Sequence, residues 1–127
     1  MRAYEEVLQR AKRRKEQLGV TLEQIAGHTR LGYRTIARFF AGEDVRVSTL
    51  EKITGFLGLD FNGESLVDAE RLREERASQK ARQLVSMVQE TSALEMQGVS
   101  KEQFELLVEE AREALLHGEY RKMLWAS

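Results

Sequence analysis

Cysteine and proline are both absent from this chain of 127 residues. The absence of cysteine excludes disulfides and thiolate metal sites, and it fits a reducing cytoplasm, which is the location we expect. The absence of proline, together with abundant Leu, Ala, Glu, Arg and Gln, favours an all-helical protein. No apolar run approaches the roughly 18 residues of a membrane span, and the N-terminus holds no apolar signal region, so we expect a soluble protein without membrane contact.

Residues suited to catalysis are scarce. The chain has two histidines: His28 falls in a predicted turn, where a surface or capping role is expected, and His117 falls in a last helical turn, where it suits the helix dipole. The sequence contains no metal-ligand cluster, phosphate-binding glycine loop or nucleophile constellation. Glu109, Glu110 and Glu113 are most simply a solvated helix face. We therefore expect neither an enzyme nor a bound cofactor.

Charge is distributed unevenly along the chain. Residues 1–62 carry 11 Lys and Arg against 8 Asp and Glu, a net charge of +3, whereas residues 63–127 carry 9 against 13, a net charge of −4. This asymmetry indicates that the two halves have different roles. A charge of +3 alone is weak evidence for a nucleic-acid partner, and without a motif two ordinary solvated surfaces would be the simpler explanation.

The first helix is predicted over residues 3–18, where apolar residues recur at helical spacing on one stripe. A basic cluster crowds its second half. These cations either stabilise the helix terminus or contact phosphate non-specifically. The stripe consists of Val7, Leu8, Ala11 and Leu18, and the cluster consists of Arg10, Lys12, Arg13, Arg14 and Lys15.

Two short helices around a tight turn are predicted next. Thr21 and Gln24 form a capping box, in which each side chain accepts the other residue's backbone N–H. A turn through residues 28–32 leads to a helix over residues 33–41, which Gly42 ends. This is the layout of a helix-turn-helix, whose second helix can lie in the DNA major groove.

A fourth helix is predicted over residues 49–58. Ser48 and Glu51 have the spacing of a second capping box before it. Its apolar residues face the same core as the preceding helices. Beyond its end, Leu59 and Phe61 are predicted to close that core.

A boundary is predicted at residues 62–64, which divides the chain into a domain at 1–62 and a helical region at 63–127. A long helical stretch begins near Ser65; it is mostly charged at first, with a thin apolar seam, and becomes apolar over residues 84–96 before Gly98 interrupts it. Ser100 and Gln103 form a third capping box, before a helix over residues 101–117. The seam is Leu72, Ala77 and Ala81; the buried stripe of the last helix is predicted to be Phe104, Leu107, Val108, Ala111 and Leu115, with Leu106 and Leu116 outside it.

Between residues 21 and 42 the chain resembles the lambda-repressor-like helix-turn-helix family, also called the Cro or XRE type. The matching pattern is a capped helix with an inward Ile-Ala pair, a turn, a recognition helix with a central Thr-Ile pair, and a glycine stop. The residues that carry it, without a gap, are Thr21, Ile25, Ala26, Thr35, Ile36 and Gly42. The resemblance extends over roughly residues 4–60 and implies an all-α fold, with an N-terminal helix-turn-helix bundle followed by a helical extension.

Two positions depart from the family pattern. Arg30 stands where the family usually has glycine in the turn, and Gly32 stands where a Ser or Thr usually caps the recognition helix. A non-glycine residue at positive φ is uncommon. We therefore expect Gly32, rather than Arg30, to adopt the left-handed conformation.

The resemblance also implies which residues meet DNA. Base edges are contacted from the first turn of the recognition helix and one turn later, and phosphates from the preceding helix and the following loop. Arg34 and Arg38 lie four residues apart on one helix face, and arginine is the commonest specific partner of guanine; a solvated helix face is the alternative. The base-contact set is Tyr33, Arg34, Ala37 and Arg38, and the phosphate-contact set is Thr21, Gln24, Thr35 and Arg46.

A single helix-turn-helix contacts only a half-site, so the resemblance predicts a homodimer on double-stranded DNA with two-fold symmetry. The apolar stretches at residues 84–96 and 104–116 are predicted to form a helical hairpin that pairs across the two-fold axis. Alternatively, they fold back on the DNA-binding domain of the same chain.

Two functions are compatible with these features. The first is a transcriptional repressor of its own gene, whose second half only dimerises. The second is an antitoxin that represses its own operon and neutralises a basic toxin through its acidic second half or its tail. The tail packs on the dimer or docks into a partner, through Tyr120, Met123, Leu124 and Trp125. We favour the repressor, because both functions share its DNA-binding core.

Overall fold

The structure, a computed structural model, describes residues 2–93 and 100–126. Within these residues the chain forms six α-helices and no β-strand, so the predicted all-helical fold is confirmed. The chain divides into two compact units, one up to Leu72 and one from Arg73 to Ala126. The elements are α1 (Arg2–Leu18), α2 (Leu22–Thr29), α3 (Tyr33–Phe40), α4 (Val47–Phe56), α5 (Ala69–Ala93), α6 (Lys101–His117) and a 3₁₀ turn (Arg121–Met123). Of the helices described, none has both the length and the apolar character needed to cross a membrane.

Capping boxes place the beginnings of α2 and α6. The backbone N–H of Gln24 donates to Thr21 Oγ1 at 3.1 Å, and the N–H of Thr21 donates to Gln24 Oε1 at 3.0 Å. Ser100 and Gln103 form the same reciprocal pair before α6, with both distances at 3.2 Å. Each box satisfies two backbone donors that the helix itself leaves unpaired. These two predicted capping boxes are confirmed.

Helix α4 begins earlier than predicted. Arg46 is its N-cap, in an extended conformation and without a side-chain hydrogen bond, and Val47 is its first residue. A capping residue needs non-helical φ and ψ. Because the chain becomes helical before Ser48, that residue lies inside the first turn, and the predicted capping box of Ser48 with Glu51 is wrong.

The apolar faces of α1 to α4 form the core of the first unit. Helix α2 packs against α3 and α4, and α1 packs against α3. The predicted stripe of α1 is buried, as is Leu59 beyond α4, but Phe61 is 55 % exposed, so its predicted place in the core is wrong. Phe61 lies in a turn that carries it outward. The fully buried side chains at the centre are Ile25, Ile36, Phe39, Ile53 and Leu57.

A buried arginine attaches the segment between α4 and α5 to α1. Arg14 Nη1 donates to the carbonyl oxygens of Leu57 and Val67, each at 2.7 Å, and Arg14 Nη2 donates to Ser65 Oγ at 2.8 Å. Burial lowers the pKa of Arg14, and the nearby carboxylate of Asp68 acts in the opposite direction. One guanidinium therefore satisfies three acceptors of a segment that has no regular ladder of its own.

The first unit continues to Leu72, past the boundary predicted at residue 62. Residues 60–64 form a tight turn instead of a linker. Asp60 Oδ1 closes that turn by accepting the backbone N–H groups of Asn62 and Glu64, both at 2.9 Å. Long-range contacts such as those of Arg14 then hold the following residues in the first unit, and composition does not reveal such contacts.

Helix α5 begins at Ala69, four residues after the start that was predicted near Ser65. The side chain of Asp68 accepts the backbone N–H of Arg71 at 2.8 Å, which is the geometry of an N-cap. The helix start lies against Gly58, whose φ is 74° and where a Cβ would come within 2.5 Å of Leu72 Cδ1. The positive φ favours glycine at this position, and a Cβ there would also force the Leu72 side chain to shift.

The second unit buries small and large apolar residues from α5, α6 and the tail. Ala77 and Ala81 of the predicted seam are fully buried, and Val108 and Leu115 of α6 are buried as predicted. Two predictions for α6 are wrong, because Leu107 is 41 % exposed whereas Leu116 is buried. The 3₁₀ turn packs against α6 and provides a second packing surface that the periodicity of α6 alone does not include.

The C-terminal tail packs within the second unit of its own chain. Leu124 and Trp125 are buried, whereas Tyr120 and Met123 are exposed. The guanidinium of Arg76 lies 6.0 Å from the Trp125 ring centroid, and its Nε donates to the carbonyl of Leu124 at 2.8 Å.

Two cations of α5 converge on the end of the tail. Arg76 Nη2 and Lys80 Nζ both donate to the carbonyl of Ala126, at 2.7 and 2.9 Å. Burial lowers the pKa of both groups, and the charge of Arg76 lowers the pKa of Lys80 further. The part of the predicted hairpin at residues 94–96, and the predicted break at Gly98, lie outside the described residues.

Candidate nucleic-acid interface

The amino end of α2 presents polar groups to solvent. Thr21 is exposed, and its Oγ1 accepts the N–H of Gln24, which leaves the hydroxyl proton as a donor. The amide oxygen of Gln24 is used by Thr21, but its NH₂ group keeps two donor protons. These donors lie at the positive end of the helix dipole, where an anion is favoured.

The turn between α2 and α3 has its left-handed residue at Arg30. Arg30 has φ 60° and ψ 26° as the C-cap of α2, whereas Gly32 is extended, with φ −65° and ψ 143°, as the N-cap of α3. The expectation that Gly32 takes the left-handed conformation is therefore wrong. The chain reverses directly after Thr29, where α2 ends, so positive φ falls on the residue that stands there.

The inner face of α3 is anchored by aromatic and aliphatic side chains. Ile36 and Phe39 are fully buried. The ring of Phe39 meets those of Tyr4 and Phe40 edge-on, with centroid distances of 6.2 and 4.9 Å. Such packing fixes the rotation of α3 about its axis, and with it the direction of the side chains on the other face.

The outer face of α3 is cationic. Arg34 and Arg38 are exposed and stand four residues apart, so they lie on one side of the helix. Tyr33, at the start of the helix, is 51 % exposed. Ala37 and Thr35 are half-buried, and the small side chain of Ala37 leaves the surface beside the arginines open to close approach.

The two arginines of this face are not engaged by other groups in the part of the chain that the structure describes. Among residues 2–93 and 100–126, neither Arg34 nor Arg38 takes part in an ion pair or a side-chain hydrogen bond. By contrast, Arg82 and Arg112 are paired with glutamates at 3.0–3.3 Å. Each guanidinium of α3 therefore keeps all five of its N–H donors for a ligand.

The loop between α3 and α4 is fixed by Tyr4 and carries Arg46. The Tyr4 hydroxyl donates to the carbonyl of Glu43, and burial, with the nearby carboxylate of Asp44, raises the pKa of that hydroxyl. Arg46 is exposed at the start of α4, but Glu43 and Asp44 are exposed as well. Because two carboxylates stand beside it, Arg46 is a weaker phosphate ligand than its exposure alone indicates.

The fold divides the basic cluster of α1. Arg14 is buried as described above, and Arg10 Nη1 donates to Glu64 Oε1 at 2.9 Å and to the Asn62 carbonyl at 3.2 Å. These two arginines hold the segment after α4. Arg13 is exposed.

Lys12 and Lys15 have a different location from the arginines of the cluster. Together with Glu16, Leu22 and Phe40 they line a shallow cleft of about 220 Å³, which joins α1 to the start of α2 and the end of α3. The sequence-based prediction treated these lysines as part of one cluster with the neighbouring arginines. Their spacing of three residues places both on one face of α1, and this spacing could have distinguished them.

The two histidines both lie in the last turn of a helix. His28, predicted to lie in the turn, belongs to the last turn of α2 and stacks on Phe56, with ring centroids 5.3 Å apart. His117 lies in the last turn of α6, as predicted. In the described part of the chain, no group of three or more His, Cys, Asp or Glu side chains is arranged to hold a metal ion.

The predicted contact residues concentrate on two packed helices. Five of them belong to α3 and two to the start of α2, which packs against α3, whereas Arg46 stands apart at the start of α4. Thr21, Tyr33, Arg34, Arg38 and Arg46 are exposed, and Gln24, Thr35 and Ala37 are half-buried. Comparisons with protein families, with curated proteins and with solved structures find no match for this chain.

Proposed function

We propose that the chain is a sequence-specific DNA-binding transcriptional regulator, which represses its own gene by binding a palindromic operator as a homodimer. The observation that carries the proposal is the exposed arginine pair of α3. Arg34 and Arg38 project from a helix whose inner face is anchored by Ile36 and Phe39. Side chains on a rigid element, with all their donors available, are suited to reading base edges.

In the proposed complex α3 lies in the major groove. Arg34 and Arg38 donate bidentately to O6 and N7 of guanine, and Ala37 allows the helix to approach the bases closely. Thr21 and Gln24 donate to a phosphate at the start of α2, which sets the register without reading sequence. Lys12 and Lys15 add charge on the neighbouring α1 and strengthen binding to any DNA.

A gel shift tests the proposal directly. The purified full chain is titrated onto the DNA upstream of its own gene and onto random DNA of the same length, at two salt concentrations. We expect preferential binding to the upstream DNA that persists at the higher salt. Weak binding to both DNAs that disappears at the higher salt would show that the chain is attracted to phosphates without reading sequence, and this would contradict the proposal.

Arg38→Ala tests base reading against its charge-matched control, Arg13→Ala. Both residues are exposed arginines of the first unit. We expect Arg38→Ala to weaken binding to upstream DNA by about 5- to 150-fold, the equivalent of 1–3 kcal/mol, with a much smaller loss on random DNA. Arg13→Ala is expected to cause the same small loss on both. An equal loss on both DNAs for Arg38→Ala would remove its base-reading role.

A further inference from the structure

The second unit contains an apolar cleft that α5, α6 and the tail form together. Its volume is about 330 Å³. Leu84 lines it from α5, Leu107 lines it from α6, and Tyr120 and Met123 line it from the tail; among the described residues of the lining, Glu110 is the one that is charged. The cleft involves none of the residues of the candidate nucleic-acid interface.

Large apolar side chains are exposed along this cleft. Met87 and Val88 follow Leu84 by three and four positions on α5, and they are 58 and 65 % exposed. Leu107, Tyr120 and Met123 are between 41 and 51 % exposed. Half-exposed side chains of this size present on the order of 100 Å² each, so these five offer roughly 500 Å², more than half of the roughly 800 Å² that one partner contributes to a standard interface.

The surface around the cleft carries charges of both signs. Glu110 lies in its lining, and the 3₁₀ turn that borders it through Met123 carries Arg121 and Lys122, both exposed. An interface between identical surfaces makes every contact twice, so each charge must find its opposite on the same surface. An acidic lining residue beside a basic rim meets this requirement, whereas a partner of one charge sign would be repelled by one of the two.

We infer that the cleft is the interface for a second copy of this chain. The apolar side chains of one copy fill the cleft of the other, and Glu110 of each copy faces the basic 3₁₀ turn of its neighbour. This inference rests on the proposed function, because a helix-turn-helix requires a two-fold partner to bind a palindrome. It names the surface that supplies that partner.

Leu107→Glu tests the cleft, with Leu106→Glu as its matched control. The two residues are adjacent on α6 and both are exposed, but only Leu107 lines the cleft. The mass of the full chain is measured by sedimentation equilibrium over a range of concentrations, and circular dichroism verifies the fold of each variant. We expect a dimeric wild type, at least about tenfold weaker dimerisation for Leu107→Glu, and a change within about twofold for Leu106→Glu.

A charge exchange tests the pairing across the axis. Glu110→Lys alone, and Arg121→Glu with Lys122→Glu in a second chain, are each expected to weaken dimerisation. Mixing the two variant chains restores opposite charges at both symmetric contacts, so a heterodimer is expected. A mixture that stays monomeric, a wild type that is monomeric throughout, or undiminished dimerisation of Leu107→Glu would each overturn the inference.

The two proposals can fail separately. A dimer that Leu107→Glu disrupts, but that has no preference for the upstream DNA, supports this interface and contradicts the proposed repressor. A wild type that binds the upstream DNA as a dimer, together with a Leu107→Glu variant that does the same, overturns the interface and leaves the repressor standing.

Discussion

Arg30 has a strained backbone conformation in the turn of the candidate interface. It is the one non-glycine residue with positive φ in the described part of the chain, and it lies in the turn that leads into α3. In this conformation the Cβ of an L-residue crowds the following carbonyl oxygen, at a cost of roughly 1–2 kcal/mol. The side chain is exposed, so it contributes little burial in return.

We predict that Arg30→Gly stabilises the first unit. The substitution removes the Cβ contact, and the greater freedom of glycine in the unfolded chain offsets part of the gain, so the free energy of unfolding should rise by about 0.5–1 kcal/mol. Arg30→Ala is the control, because it removes the same charge but keeps the Cβ. Urea denaturation measures both variants. An equal gain in the two would attribute the effect to charge rather than to strain.

At the scale of elements, the buried guanidinium of Arg14 connects α1 to an irregular segment. The carbonyls of Leu57 and Val67 are two of its acceptors, and the regular part of that segment amounts to one isolated bridge, between Leu59 and Ser65. Buried carbonyl groups that lose their donor are costly. Arg14 therefore holds the buried side of the segment, whereas Arg10 holds its exposed turn.

We predict that Arg14→Met lowers the free energy of unfolding by about 2 kcal/mol, because the Leu57 carbonyl loses its side-chain donor and the Val67 carbonyl keeps only the Ser65 hydroxyl, at 3.2 Å. Arg14→Lys should recover only part of this loss, since an ammonium lacks the fork of the guanidinium. Arg13→Met, an exposed neighbour, should change stability by less than about 0.5 kcal/mol. Urea denaturation measures the loss of stability, and hydrogen exchange of residues 59–67 tests whether the loss occurs in this segment. Similar losses for Arg13→Met and Arg14→Met would contradict the role of this clamp.

These elements also show what the sequence could predict. The boxes at Thr21 and Ser100 were predicted correctly because their hydrogen bonds span three residues, whereas the same signal at Ser48 was overruled by the conformation of the loop before it. The exposed face of α3 follows from the periodicity that buries Ile36. The burial of Arg14 could not be predicted, because its acceptors lie more than 40 residues away.

At the scale of the whole molecule, the two halves have opposite charges and separate cores. The net charge of +3 over residues 1–62 favours a polyanion, and the net charge of −4 over residues 63–127 opposes non-specific binding of the second half to DNA. One form of the antitoxin hypothesis has a toxin bind the C-terminal tail. Because Leu124 and Trp125 of the tail are buried, such a toxin would first have to displace them.

If the chain binds a palindrome as the proposed dimer, both copies of α3 enter the major groove on one face of the DNA, so the spacing of the half-sites tests the proposal. Inserting five base pairs between the half-sites rotates one relative to the other by about half a helical turn, so both copies of α3 can no longer enter the groove on one face. We predict a loss of affinity of at least about tenfold, measured by fluorescence anisotropy once footprinting has delimited the site. Replacing the central five base pairs without changing the spacing is the control. If the insertion has no effect, the two DNA-binding units act independently, and the palindromic dimer is wrong even where each arginine reads its base.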